Sequence, residues 1–250
     1  MTKIKYKILI LINLFVRILT KIANTIKTYV FPPRCIACYK FVQNDNGFCS
    51  NCFKNIIFID NLYCLKCGRK NKEQKEKCIQ CIKEDNSFDI ARSLFVFDNL
   101  SKNAIHEAKY YNTLGALEKF AEMLCNQHQD ILEKIDLIIP VPMHYIKRIY
   151  RSYNPAHKLA KSISLKEKKT FDPFLLKKIK ITRSQINLTR EERKKNLHES
   201  FKIEKKNKIL GKNILLVDDV MTTGTTVNLC SKLLKNAGAK RVTIFTISSL

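Results

Sequence analysis

From residue 90 onwards, hydrophobic and polar positions follow the strand period and the helix period in turn. The predicted strands are 90–97, 136–142, 214–217 and 241–247. The predicted helices are 101–111, 115–133, 155–164 and 227–236. Because strands and helices alternate along the chain, we expect an α/β fold with a parallel, doubly wound sheet flanked by helices.

Local signals bound several of these elements. Asn154 is suited to cap a helix that begins with Pro155, and Gly238 is suited to end the helix at 227–236. Residues 177–197 are basic and polar and follow neither period. We expect them to form a mobile loop with a short helix that closes over a neighbouring site.

Residues 1–34 have the pattern of a basic amphipathic N-terminal helix. Its apolar positions near one face are Ile8, Ile12, Phe15, Leu19 and Ile22. The apolar run at 8–16 is too short to span a bilayer, and no small-residue cleavage site follows it. We therefore predict a cytoplasmic protein with no integral membrane insertion. The helix is expected to pack on the body of the protein, with surface contact to a membrane as the alternative.

Eight of the ten cysteines form four Cys-x-x-Cys pairs, separated by ten, eleven and ten residues. The pairs are Cys35/Cys38, Cys49/Cys52, Cys64/Cys67 and Cys78/Cys81. This regular spacing is typical of tetrahedral zinc sites, and so short a segment cannot bury enough surface to fold without metal. We predict a double zinc ribbon at 35–85 with two structural zinc ions. Sequential pairing closes the shorter loops, although spacing alone leaves interleaved pairing open.

Other uses of these cysteines fit the sequence less well. Structural disulfides require an oxidising compartment, and four consecutive pairs are a scaffold rather than a redox centre. Cys125 and Cys230 fall in predicted helices, where we expect them to be buried as small apolar residues.

The segment 214–226 carries the most specific chemistry in the chain. Four apolar residues end in Asp218 and Asp219, and a short Thr/Gly turn and a helix follow. Such a turn offers backbone N–H groups, hydroxyls and a helix N-terminus to an anion. The two carboxylates suit hydroxyl groups or a metal ion beside that anion. A Walker loop is excluded because no lysine follows the glycine.

These residues resemble the phosphoribosyl pyrophosphate (PRPP) motif of type I phosphoribosyltransferases. The resemblance implies a type I phosphoribosyltransferase-like domain at 86–250. Asp218 and Asp219 would be the catalytic residues that hold the ribose hydroxyls, and Mg²⁺ would accompany the diphosphate of PRPP. The predicted 5-phosphate ligands are Thr222, Thr223, Gly224, Thr225 and Thr226. Lys109, Arg148 and Arg151 are further PRPP-binding candidates, for the diphosphate.

The formal net charge of +24 is concentrated in one region. Residues 144–212 carry 21 Lys or Arg against six Asp or Glu, a net +15. A patch of this size favours polyanions such as nucleic acid, an anionic membrane face or phosphorylated substrates. Lysine, isoleucine and asparagine are all abundant here, so part of the excess is attributed to composition rather than to binding.

A resemblance over nearly the whole chain follows from the order of its motifs. In chain order these are the basic helix, Phe31–Cys35, the zinc pairs, Pro140-Val141-Pro142, Asn154, Gln185, Arg193 with Asn196, Phe201 and the PRPP motif. The chain thus resembles the ComF family of competence-associated proteins. The family usually has Arg-Gly-Phe-Asn-Gln where this chain has 151–155, Arg-Ser-Tyr-Asn-Pro.

The ComF resemblance implies a protein that binds PRPP or a related phosphoribosyl ligand and acts in natural competence, on incoming single-stranded DNA. Its implied partners are that ligand, single-stranded DNA and competence proteins. Whether it is an enzyme, a phosphoribosyltransferase with an unknown acceptor, stays open. The alternatives are a non-catalytic competence factor that binds zinc and nucleic acid, and a nucleobase-salvage phosphoribosyltransferase.

Overall fold

The computed structural model contains a parallel sheet with helices on both faces. It describes residues 15, 32–42, 47–84, 86–110, 115–143, 153–179 and 200–250. The strands are β1 (Ile90–Val96), β2 (Leu137–Pro140), β3 (Thr170–Phe171), β4 (Leu176–Lys178), β5 (Phe201–Ile203), β6 (Asn213–Val217), β7 (Val220–Met221) and β8 (Arg241–Ser249). The helices are α1 (Ser50–Asn55), α2 (Ile79–Lys83), α3 (Asn99–Tyr110), α4 (Ala116–Gln127), α5 (Gln129–Leu132), α6 (Pro155–Glu167) and α7 (Thr225–Asn236).

The main sheet has the strand order β1-β8-β6-β2-β3, with β7 also paired to β8. All of its pairings are parallel, which confirms the predicted fold class. Strand β6 lies between β8 and β2, so the residues that follow it emerge near the centre of the carboxyl edge. In parallel α/β sheets this edge is where ligands bind.

The two faces of the sheet pack against different helices. On β6, Leu215 and Val217 share one apolar core with α3, α4 and α6, whereas Ile214 and Leu216 share the other with α7. This near-complete burial accounts for the continuous apolar run of β6, which is typical of a central parallel strand. Each cysteine ribbon joins a different core, the first on the α3 side and the second on the α7 side.

The free edge of β1 is covered by the segment between the two ribbons. The Ile59 amide donates to the Leu94 carbonyl, and the Val96 amide donates to the Ile57 carbonyl, both at 2.9 Å. An antiparallel bridge joins Phe58 to Phe95 between these contacts. The module and the sheet are therefore connected by strand-like hydrogen bonds as well as by apolar contact.

Two predicted elements differ from the observed ones. The helix predicted at 115–133 is broken at His128, which has φ −133° and ψ 39°, so that α4 and α5 are separate. The loop predicted at 177–197 overlaps β4, which pairs with β5 in an antiparallel hairpin. Residues 180–197 of that loop, and almost all of the predicted helix at 1–34, lie outside the described residues. In the described part of the chain, no helix is both long and apolar enough to cross a bilayer.

Candidate phosphoribosyl-binding site

The carboxylate pair lies directly after β6, and its backbone is fixed by β8. The Asp218 amide donates to the Phe245 carbonyl, and the Ile247 amide donates to the Asp219 carbonyl, both at 3.0 Å. These bonds extend the β6–β8 pairing past the last residue of β6. The two side chains are therefore held at the carboxyl edge by the sheet itself.

The Thr/Gly turn leads from the carboxylates into α7. Gly224 adopts φ +81° at the N-cap of the helix, a conformation that favours glycine. The Thr223 and Thr225 hydroxyls are 2.9 Å apart. Asp218 and residues 220–227 line a cavity of about 40 Å³. A helix N-terminus and loop hydroxyls around a small cavity form a suitable site for one phosphate group.

The two carboxylates have different partners. Asp219 Oδ2 lies 2.9 Å from Nζ of Lys109, in the last turn of α3. Asp218 Oδ1 accepts a hydrogen bond from the Asp219 amide at 2.9 Å. Burial and the Asp219 carboxylate raise the pKa of Asp218 to about 8, although Lys109 and Lys178 oppose this shift. The free site therefore holds a charged Asp219–Lys109 pair beside an Asp218 that is mostly protonated at neutral pH.

The predicted site residues are brought together as far as the structure describes them. The carboxylate pair, the turn at 222–226 and Lys109 lie at one edge of the sheet. Arg148 and Arg151 lie outside the described residues. Lys109 was predicted as a diphosphate ligand, and its contact in this structure is with Asp219.

The eight paired cysteines form two separate clusters. Cys35, Cys38, Cys49 and Cys52 make up one, and Cys64, Cys67, Cys78 and Cys81 make up the other, with the Sγ atoms of each set within 4.8 Å of one another. Three Sγ pairs, Cys38–Cys49, Cys67–Cys78 and Cys64–Cys81, are 3.7, 3.7 and 4.0 Å apart. A tetrahedral Zn²⁺ with Zn–S bonds of about 2.3 Å requires S···S distances of about 3.8 Å. Both clusters are therefore consistent with structural zinc, and the grouping is sequential.

A family model described as "Phosphoribosyl transferase domain" matches residues 107–248, more than half of the chain. The chain belongs to this family. A second model, "Double zinc ribbon domain", matches residues 26–82. The two matches agree with a sheet that carries the carboxylate pair and with two four-cysteine clusters before it.

Two relatives of this chain are competence proteins, which confirms its resemblance to the ComF family. It is 29% identical to Competence protein F of Haemophilus influenzae over 222 residues, which cover 86% of this chain and 96% of the relative. It is 23% identical to Competence protein ComFC of Bacillus subtilis over 218 residues, which cover 82% and 85%. A solved adenine phosphoribosyltransferase from Saccharomyces cerevisiae aligns with 16% identity and a TM-score of 0.39, over 56% of this chain and 73% of that one.

Two basic residues near the PRPP motif were not predicted from the sequence. Lys178, at the end of β4, is close enough to Asp218 to oppose its pKa shift. Arg69, in the second ribbon, donates from Nη2 to the Thr222 carbonyl at 2.7 Å. Their segments contain no motif that points to the carboxylate pair, because both contacts depend on tertiary packing.

Cys125 and Cys230 are buried, as predicted for small apolar residues in helices. Burial raises the pKa of the Cys125 thiol to about 12 and also raises that of Cys230. None of the ten cysteines forms a disulfide. Because burial raises the pKa of both thiols, neither Cys125 nor Cys230 is suited to act as a nucleophile.

A larger cavity, of about 680 Å³, opens at the carboxyl end of β2. Pro140, Pro142, His157 and Phe174 are among its lining residues, and Lys178 lies on its wall. Asn154 caps α6, and its Nδ2 donates to the Val141 carbonyl at 3.0 Å, which ties the helix to the end of β2. The volume is in the usual range for small-molecule sites.

Proposed function

We propose that this protein binds PRPP, or a related phosphoribosyl ligand, at the carboxyl edge of its sheet. The observation that carries the proposal is the contiguity of the carboxylate pair and the anion-binding turn after the central strand β6. The 5-phosphate would bind at 222–226, and the ribose 2- and 3-hydroxyls would donate to Asp218 and Asp219. Carboxylates accept from hydroxyl groups strongly when they are ionised.

The residues of the chain supply positioning and electrostatics for transfer from such a ligand. Held at both its phosphate and its hydroxyls, the ribose has its C1 carbon fixed relative to the wall of the site. In the proposed transfer, the bond from C1 to the diphosphate oxygen breaks and a bond from C1 to the acceptor forms. The acceptor's proton passes to the released diphosphate or to solvent. Mg²⁺ bound with the ligand would neutralise charge on the departing diphosphate.

Binding is tested by calorimetric titration of the zinc-loaded full chain with PRPP and Mg²⁺. We expect Asp219→Asn to weaken binding at least tenfold, which corresponds to about 1.4 kcal/mol, because a neutral amide replaces a charged acceptor. Asp130→Asn, an exposed change on α5, is the matched control and should bind as the wild type does. Equal affinities for wild type and Asp219→Asn, or no binding at all, would overturn the site.

Catalysis requires a separate measurement. We propose that the protein is a phosphoribosyltransferase, and turnover is followed as pyrophosphate release from PRPP in the presence of candidate acceptors. The acceptors should include purine and pyrimidine bases, because turnover with a free base would identify a salvage enzyme. Tight PRPP binding without turnover across a broad acceptor set would identify a non-catalytic phosphoribosyl-binding protein instead.

We further propose a role in natural competence, with single-stranded DNA and competence proteins as partners. Support comes from the names of the two competence relatives and from the net +15 at 144–212. The test is fluorescence anisotropy of a labelled single-stranded oligonucleotide at increasing salt. Affinity should fall steeply with salt, and charge reversal of the basic residues at 190–195 should weaken it. Absence of DNA binding at low salt would count against this role.

A further inference from the structure

The second cysteine ribbon contacts the phosphate-binding turn through one side chain. Arg69 donates from Nη2 to the Thr222 carbonyl at 2.7 Å, and Nη1 donates to the Gln80 side-chain oxygen. Gln80 lies between Cys78 and Cys81. The guanidinium therefore joins the cysteine cluster to a turn that lies 153 positions further along the chain.

Both halves of the ribbon determine where this guanidinium lies. The Cys64 amide donates to the Arg69 carbonyl at 3.0 Å, and the Gly68 amide donates to the Cys64 carbonyl at 2.8 Å, so the first Cys-x-x-Cys turn fixes the Arg69 backbone. The second Cys-x-x-Cys pair carries Gln80. A metal bound by all four thiolates would hold the two turns at a fixed separation.

The ribbon is itself attached to the sheet and to α7. The Ala91 amide, in β1, donates to the Lys66 carbonyl at 2.8 Å. The Ser87 amide, just after the ribbon, donates to Oδ1 of Asn228 at 2.6 Å, near the start of α7. Arg69 therefore contacts Thr222 from a ribbon that other hydrogen bonds hold to the sheet and to α7.

The direction of the Thr222 carbonyl matters for anion binding. In a trans peptide unit, the carbonyl and the following N–H point in opposite directions. Holding the Thr222 carbonyl toward Arg69 therefore turns the Thr223 N–H away from the ribbon. Arg69 makes no salt bridge with any described carboxylate, so its positive charge also adds to the potential at the turn.

We propose that Arg69 is a positioning residue through which the second zinc ribbon holds the phosphate-binding turn in its ligand-ready conformation. This inference rests on the proposed function, because Arg69 would position the turn of the same ligand-binding site. It gives the second ribbon a role in ligand affinity that the cysteine spacing alone does not indicate.

The test compares Arg69→Gln with Lys70→Gln in the zinc-loaded full chain. Both changes remove one positive charge from the same ribbon, but Lys70 donates to the Phe58 carbonyl at 3.3 Å rather than to the turn. We expect Arg69→Gln to bind PRPP with Mg²⁺ at least tenfold more weakly, and Lys70→Gln to bind as the wild type does. Zinc content, measured by colorimetric release, should equal that of the wild type in both variants.

A second measurement needs no ligand. Hydrogen exchange of the backbone amides at 228–231, in the first turns of α7, should be several-fold faster in Arg69→Gln than in Lys70→Gln, because a loosened turn lets the helix fray. Equal exchange in the two variants overturns the inference. Failure of the wild type to bind PRPP would overturn the proposed function instead, while the exchange result still decides the role of Arg69.

Arg69→Lys separates positioning from a general role in folding. Lysine keeps the charge and the apolar stem but lacks the two-pronged donor, so affinity and exchange should lie between those of wild type and Arg69→Gln. Loss of zinc in both Arg69 variants would make the residue part of the ribbon's own fold and would overturn the positioning role.

Discussion

Nζ of Lys109 lies 2.9 Å from Oδ2 of Asp219, and these side chains are only 19% and 18% exposed. The pair connects the end of α3 to the end of β6, two elements that are far apart in the chain. Asp219 is therefore oriented by a partner before any ligand arrives, whereas Asp218 is flanked by a like charge.

We predict that Lys109→Gln weakens the binding of PRPP and of ribose 5-phosphate by similar factors, about tenfold each. Both ligands use the Asp219 carboxylate, which loses its orienting partner in this variant. Calorimetry with both ligands is the measurement, and Lys102→Gln, an exposed change on the same helix, is the control. A loss confined to PRPP would contradict the orienting role and would assign Lys109 to the diphosphate.

Asp218→Asn is predicted to stabilise the protein at pH 8. The pKa of Asp218 is about 8 in the folded state, against 3.8 for an ordinary aspartate. Since the folded state keeps the proton that the unfolded state loses, Asp218 reduces the free energy of unfolding progressively between pH 4 and pH 8. Asp218 is only partly buried, so solvent screens part of this penalty. We therefore expect Asp218→Asn to gain roughly 2 kcal/mol at pH 8.

Urea unfolding of zinc-loaded wild type and Asp218→Asn at pH 6 and pH 8 measures this difference. The difference should be larger at pH 8 than at pH 6. Asp130→Asn, which changes an exposed carboxylate, should alter neither value by more than about 0.5 kcal/mol. If Asp218→Asn were less stable than the wild type at pH 8, the ionised Asp218 carboxylate would not destabilise the folded protein, and the prediction would be wrong.

Ligand binding near pH 7 is predicted to release a proton from Asp218. A protonated Asp218 must ionise to accept from a ribose hydroxyl while Asp219 accepts from the other. Calorimetric titration with PRPP and Mg²⁺ in two buffers of different ionisation enthalpy reports this proton. The wild type should release up to about one more proton than Asp218→Asn, and equal release by both proteins would contradict the model.

Gly68→Ala should destabilise the protein more than Gly211→Ala does. Both glycines have φ +69°, but a Cβ at Gly68 would lie 2.3 Å from the Ala91 carbonyl oxygen, whereas Gly211 has nothing within 4 Å. In both variants the alanine must adopt a positive φ, which costs about 1 kcal/mol. The clash at Gly68 adds roughly 2 kcal/mol. Thermal unfolding measures both variants, and equal losses would show that the second ribbon is not pressed against β1.

Much of the site could be predicted because it is contiguous in sequence. Most of β6, the carboxylates, the turn and the first two residues of α7 occupy residues 214–226. In this stretch both the change from strand to helix period and the residue types are informative. The cysteine clusters were predictable for the same reason, since ligand spacing is local. Sequence proximity also favoured the sequential grouping, which the Sγ distances support.

Other features depend on packing that leaves no local signal. The contacts of Lys109 and Arg69 join residues more than 100 positions apart. The break at His128 interrupts a helical pattern that continues on both sides, and burial lowers the pKa of that histidine to about 4. The β4–β5 hairpin pairs residues on either side of a long basic stretch of sequence, whose composition indicated only a loop.

The segment at 57–59 has a consequence for the apoprotein. It pairs with the outer edge of β1 and lies between the two cysteine clusters. If metal loss released this segment, an unprotected strand edge with Phe95 and Leu94 behind it would become available to other chains. Zinc starvation during expression should then produce inclusion bodies, so the two metal centres would also serve to keep the protein from self-association.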